Sequence, residues 1–171
     1  MKAIVVFRSK TGYTKRYAQW IAEELGCDIK ENASFSDIAG YDTVICGGGV
    51  YTGGVNGAKL ITGNLDKLSG KKLVLFAVGA NAGSDKDVKP MWNRILTDEQ
   101  QKTVGHFYLR GGFDMNKLRG MDKFLMKMMK SHLEKKKEKT PQTMELLEMF
   151  GNAGDFSDRE NIRDLVRYAV S

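Results

Sequence analysis

Two cysteines and two histidines in 171 residues leave this chain few means of holding a metal ion or building a disulfide framework. Cys27 and Cys46 lack metal-ligand spacing. Cys46 lies inside an apolar run and reads as a small core residue rather than a nucleophile. His106 and His132 each stand without a catalytic partner, so neither a hydrolase triad nor a metal cluster is in view. No stretch approaches the ~20 apolar residues that a membrane span needs. The first apolar run, Ala3 to Phe7, is short and meets Arg8, unlike a secretory signal. The cytoplasm is the expected location. No internal repeat is visible.

What the chain does have is an ordinary globular composition, 42% hydrophobic and 28% charged, which suits one domain over residues 1–171. Its net charge of +6 is concentrated rather than spread. Residues 114–140 hold nine Lys/Arg against four Asp/Glu, and so carry +5 of it. The basicity belongs to one element.

Along the chain, short apolar runs alternate with amphipathic stretches. Ala3 to Phe7 is a β-branched run of the kind found in strands covered on both faces. Tyr17, Ile21 and Leu25 mark a helix ended by Gly26. Cys27–Lys30 and Thr43–Cys46 read as strands two and three, the latter opening into a glycine-rich loop over 47–54. A helix is expected from Asn56 to Lys67, then a buried fourth strand over Lys72–Val78 and a small-residue loop to Ser84. Asp85 and Asp87 read as helix-capping residues, with a helix around Lys89–Leu96 and another short one after it. A fifth strand follows over His106–Arg110, and a last helix over Asn161–Ala169. Such alternation predicts an α/β fold with a parallel sheet. Residues 111–157 exceed that plan and form an insertion.

The first βα turn carries the most chemistry. Ser9, Thr11 and Thr14 offer hydroxyls, Gly12 offers conformational freedom, and a helix start supplies backbone N–H groups. Such a turn binds a phosphomonoester without a cationic side chain. It lacks the Gly-Lys-Ser/Thr of nucleotide-hydrolysing loops and the Gly-x-Gly-x-x-Gly of dinucleotide folds.

Ser9-Lys10-Thr11-Gly12-Tyr13-Thr14, directly after an N-terminal strand, resembles the flavodoxin phosphate-loop signature [Ser/Thr]-x-Thr-Gly-x-Thr. The resemblance covers residues 1 to about 110 and the final helix. It implies a flavodoxin-like three-layer sandwich with a five-stranded parallel sheet of order 2-1-3-4-5, the helical insertion following strand 5. It also implies FMN as cofactor. Ser9, Lys10, Thr11, Gly12, Tyr13 and Thr14 would hold the phosphate, and Gly49, Val50, Tyr51, Thr52 and Gly53 one side of the isoalloxazine ring. Gly79, Ala80, Asn81, Ala82 and Gly83 would take the other side. On that assignment Gly47, Gly48 and Gly49 let backbone approach a flat ring, Tyr51 either stacks on it or is an exposed loop tyrosine, and Asn81 reads its polar edge. The third loop departs from flavodoxins, which often carry acidic and aromatic residues there.

Flavodoxins are also acidic around the flavin, and long-chain ones interrupt the fifth strand; this chain is basic and its insertion comes later. The stretch Met121-Asp122-Lys123-Phe124-Leu125-Met126-Lys127-Met128-Met129-Lys130 resembles the flavodoxin-like, menaquinone-dependent protoporphyrinogen oxidases. Their second loop has Arg-Tyr-Gly, where this chain has Tyr51-Thr52-Gly53 and no arginine.

From the residues alone, Leu118, Met121, Phe124, Leu125, Met128, Met129 and Leu133 share a helical face flanked by Lys123, Lys127 and Lys130. One reading is a core-packing helix with a solvated lysine face. The other is a mobile basic lid over Leu118–Lys139 that docks on an anionic membrane or acidic partner, or covers a hydrophobic substrate. Lys135–Thr140 reads as a loop. Nucleic-acid binding is not expected, because no recognition motif accompanies the lysines. Three functions stand at this stage: FMN-dependent electron transfer to a redox partner protein, an FMN dehydrogenase passing electrons to a quinone, or a flavin-free interaction module. The membrane version adds peripheral attachment to the cytoplasmic location.

Overall fold

A computed structural model describes residues 1–151 and 154–171. Strand β1 (Ala3–Arg8) leads into helix α1 (Tyr13–Leu25), then β2 (Asp28–Glu31), α2 (Phe35–Ile38) and β3 (Thr43–Tyr51). A short β4 (Gly54–Val55) turns back on β3, and α3 (Lys59–Thr62) and a 3-10 turn lead to β5 (Lys72–Gly79). Helices α4 (Asp85–Ile95) and α5 (Asp98–Thr103) precede β6 (Val104–Arg110). The insertion holds β7 (Gly112–Phe113), α6 (Gly120–Glu134), α7 (Pro141–Gly151) and β8 (Gly154–Asp155), before α8 (Arg163–Val170).

The main sheet runs β2-β1-β3-β5-β6, all parallel, with β4 as an antiparallel appendage of β3. This is the expected order once the hairpin strand β4 is set aside. Alternate residues of each strand enter opposite cores, as the period of two demands. Ile4, Val44, Leu73 and Leu75 pack with Ile61, Met91, Trp92 and Leu96 on one side. Val5, Ile45, Val74 and Phe76 pack with Tyr17, Ile21, Leu165 and Ala169 on the other. Each such fully buried aliphatic side chain stabilises the fold by about 1.5–3 kcal/mol. The fold is a flavodoxin-like α/β sandwich.

Helix α1 ends at Gly26, left-handed at φ 58, whose N–H reaches the carbonyls of Ala22 and Glu23. Two segments differ from their sequence reading. Strand β3 continues past Cys46 through Gly47, Gly48 and Gly49 to Tyr51, so the expected loop over 47–54 is a strand end closed by a two-residue turn. The expected helix over Asn56–Lys67 is broken into α3 and the 3-10 turn Leu65–Leu68. The Asn56 N–H pairs with the Gly49 carbonyl at 3.0 Å instead of starting a helix. Cys46 is buried with its thiol pushed up to about 12 by burial, which leaves it an inert core residue. His106 binds the Val104 carbonyl and packs edge-on against Trp92.

The insertion is clasped to α1. Strands β7 and β8 pair Gly112 with Asp155 and Phe113 with Gly154, and Arg16 of α1 holds the Asp155 carboxylate. Tyr17 donates to the Arg110 carbonyl and accepts from the Asp158 N–H and the Asn161 amide. Burial raises the Asp155 carboxyl, but hydrogen bonds from Ser157 and Arg16 outweigh it and hold it at about 2. A carboxyl held below its unfolded value of about 3.9 stabilises the folded clasp above that pH. The stabilisation is lost as pH falls through the folded value. The protection of the β7–β8 amides, taken relative to their intrinsic exchange rate at the same pH, is therefore expected to fall on acidification below about pH 4. Asp155→Asn should abolish that acid dependence; an unchanged profile in the variant would refute the assignment.

Candidate functional site

Because β1, β3 and β5 are adjacent and parallel, their C-terminal ends open on the same edge of the sheet. Arg8 lies opposite Gly48, and Gly49 opposite Val78. The three sequence-selected segments, 9–14, 49–53 and 79–83, therefore meet at the point where the chain order reverses, the ligand crevice of open α/β sheets.

The first segment turns sharply into the start of α1. Gly12 adopts φ 95, ψ −14, a conformation open to glycine, and its N–H donates to Ser9 Oγ at 3.1 Å. The first helical bond of α1 runs from the Arg16 N–H to the Gly12 carbonyl. Helix geometry thus leaves the N–H groups of Tyr13, Thr14 and Lys15 without intrahelical acceptors, at the positive end of the helix dipole. Thr14 is buried and Thr11 half-buried beside them. No carboxylate belongs to the loop itself. Its one cation, Lys10, is already engaged: its ammonium lies 2.9 Å from both Asp122 oxygens and 4.8 Å from the centre of the Tyr51 ring. An anion here is held by amides and alcohols, and a phosphomonoester fits that donor set.

The second segment is a hairpin end. Thr52 and Gly53 sit at φ 49 and 76, the paired left-handed conformations that a tight two-residue turn requires. Thr52 is β-branched, so the turn stores strain beside the crevice. Tyr51 is half-buried, folded over Gly49 toward Lys10 and Thr11. Burial pushes its phenol up, opposed by the Lys10 ammonium and the Thr11 hydroxyl, so it stays protonated at neutral pH. Gly47 and Gly48 serve another purpose than the expected approach to a ring. A Cβ at Gly47 would run into the Phe76 ring, and one at Gly48 into the Asn56 carbonyl. Their missing side chains are space filled by the protein itself.

The third segment is braced from β6. Tyr108 donates its hydroxyl to Asn81, 2.9 Å from the carbonyl oxygen and 2.5 Å from Oδ1, and its ring packs against Gly79 and Gly83. Asn81 Oδ1 also accepts the Gly83 N–H at 3.1 Å. That oxygen is therefore committed inside the loop, leaving the NH₂ group of Asn81 for a ligand edge. Ala80 is held through its carbonyl by Arg110 Nε, and Ala82 lies between the two braced positions. Burial pushes the Tyr108 phenol up, keeping it a hydrogen-bond donor.

Four residues that shape the crevice escaped the sequence reading: Asp122, Tyr108, Arg110, and Arg94, whose guanidinium covers Gly53. They arrive from the insertion, β6 and α4, and nothing in local spacing marks them. Among the described residues no group of His, Cys, Asp and Glu could hold a metal ion, and no helix is long and apolar enough to cross a membrane.

The model of a flavodoxin domain family matches residues 4–140. The chain belongs to the flavodoxin domain family. The matched stretch takes in the whole crevice and α6, while α7, β8 and α8 lie beyond it. Flavodoxin 1 from Bacillus cereus is 19% identical, covers 78% of this chain and 96% of its own, and superposes with a TM-score of 0.45. Flavodoxin 2 from the same organism is 18% identical over 64% of this chain and 84% of its own, with a TM-score of 0.45. A flavoprotein in complex with FMN from Lactobacillus acidophilus NCFM is 19% identical over 64% and 91%, with a TM-score of 0.39. None of the curated proteins compared matches the chain. Membership of the flavodoxin domain family supports FMN as the cofactor.

Proposed function

We propose that this flavodoxin domain binds FMN and transfers electrons, handing them to a redox partner protein or a quinone. The Gly12 nest carries the reading: Ser9 pins the glycine amide, and the first turn of α1 presents its unbonded N–H groups beside Thr11 and Thr14. Bound FMN would supply the one- and two-electron chemistry. The chain's own residues hold and orient it. Ser9, Lys10, Thr11, Gly12, Tyr13 and Thr14 surround the phosphate, the charge of Lys10 being offset by its ion pair with Asp122. Gly49, Val50, Tyr51, Thr52 and Gly53 form one wall for the ring. Gly79, Ala80, Asn81, Ala82 and Gly83 form the other, kept in shape by Tyr108.

Titration with FMN should quench flavin fluorescence stoichiometrically, and riboflavin, which lacks the phosphate, should bind far more weakly. Thr11→Val with Thr14→Val removes two hydroxyl donors to a dianion, each worth about 1.5–3 kcal/mol. The double variant should therefore weaken FMN by at least about a hundredfold and leave riboflavin nearly unaffected. Equal binding of FMN and riboflavin would defeat the reading.

A second reading, a dehydrogenase of the protoporphyrinogen-oxidase type passing electrons to a quinone, draws support from one observation. A cavity of roughly 270 Å³ adjoins the third segment at Ala80 and is walled by Arg110, Phe113, Met149 and Phe156. It offers a small-molecule substrate a place beside the flavin wall. Anaerobic turnover of a porphyrinogen with a quinone by the FMN-loaded protein separates this reading from electron carriage alone.

A further inference from the structure

Helix α6 is amphipathic, yet it turns its apolar face outward. Met121, Phe124, Leu125 and Met128 are 69%, 57%, 54% and 54% exposed. Met144 and Leu146 of α7 extend the same exposed character onto the neighbouring helix. This orientation is imposed. Leu118 just before α6 and Leu133 in its last turn, expected on the same face as the exposed side chains, are instead turned inward and buried, and Asp122 is held by Lys10. Turning the apolar face inward would break all three attachments. The core-packing reading of this face is thereby overturned, because an inward helix leaves only isolated apolar side chains in water.

We propose that the outward face of α6 docks in the plane of an anionic lipid bilayer. The argument is charge complementarity around an apolar strip. Lys117 and Arg119 stand exposed before the helix, Lys127 beside the strip, and Lys135, Lys136, Lys137 and Lys139 just after it. Cations thus bracket the apolar side chains, the pattern of a helix lying at a lipid interface. Methionine and phenylalanine adapt to a fluid acyl boundary without a preformed pocket. A second copy of the chain fits poorly on the same face, since symmetric pairing would bring two segments of charge +5 together. The proposal does not depend on the flavin.

The test is co-sedimentation of the full chain with phosphatidylglycerol–phosphatidylcholine vesicles and with phosphatidylcholine vesicles alone. Sedimentation with the first only, weakened by raising salt, is expected. Phe124→Ser, Leu125→Ser and Met128→Ser together should weaken it by about tenfold or more. Lys135→Glu, Lys136→Glu and Lys137→Glu should do likewise. All six positions are exposed, so both variants should keep the parent's unfolding transition, and circular dichroism checks this. Three results would overturn the proposal: no sedimentation with anionic vesicles at low salt, binding that the serine variant leaves intact, or a stable dimer in sedimentation equilibrium that the serine variant dissolves. FMN titration on the same samples tells a failed membrane proposal from a failed flavin site.

Discussion

Gly12→Val is expected to weaken FMN binding by about a hundredfold while costing the apoprotein only about 1–2 kcal/mol of stability. The two effects separate because of where Gly12 sits. A Cβ added there meets no atom within 4 Å. The penalty is conformational: φ 95 is a region that a β-branched residue avoids. Relieving it rotates the Gly12 amide away from Ser9 Oγ and splays the N–H groups that converge at the start of α1. A ligand held by converging amides loses several charge-assisted bonds at once, each worth about 1.5–3 kcal/mol. Flavin fluorescence titration and urea unfolding of the apoprotein measure the two quantities. A variant that unfolds earlier yet binds FMN as before would place the phosphate elsewhere.

The second large effect concerns stability. Gly48→Ala should lower unfolding free energy by about 3 kcal/mol, because the added methyl overlaps the Asn56 carbonyl. That obstacle is backbone, and it cannot swing aside: the Asn56 N–H is bonded to Gly49, and Gly48 itself is paired between Arg8 and Ala77 in the middle of the sheet. Gly40→Ala is the matched control, with open space around the new Cβ and no left-handed backbone, and should change stability by no more than about 0.5 kcal/mol. Shifts in the urea midpoint at constant slope report both. Should the two variants behave alike, the glycines of β3 do not owe their place to this close packing.

The opening strand, turn and helix were legible because their signals are local. A β-branched run, a hydroxyl-and-glycine turn and an amphipathic helix follow one another within residues 3–25. The helix stop at Gly26 was legible for the same reason. The glycine run 47–49 reads as a loop and is strand. Glycine is compatible both with a loop that admits a ligand and with a strand overlaid by a neighbour, and Phe76 and Asn56 are that neighbour here. The brace from Tyr108 to Asn81 spans twenty-seven positions of sequence and left no trace in any local pattern.

By itself the sequence determined the alternation of strands and helices, the hydroxyl-and-glycine turn between β1 and α1, and the concentration of positive charge in the insertion. Each follows from residue period, turn chemistry or composition over a few consecutive positions. The tertiary structure alone decided which way α6 faces, since a helix with an apolar stripe is equally content against a core or a bilayer. Leu118, Leu133 and the Lys10–Asp122 pair, contacts made with distant parts of the chain, select the outward choice.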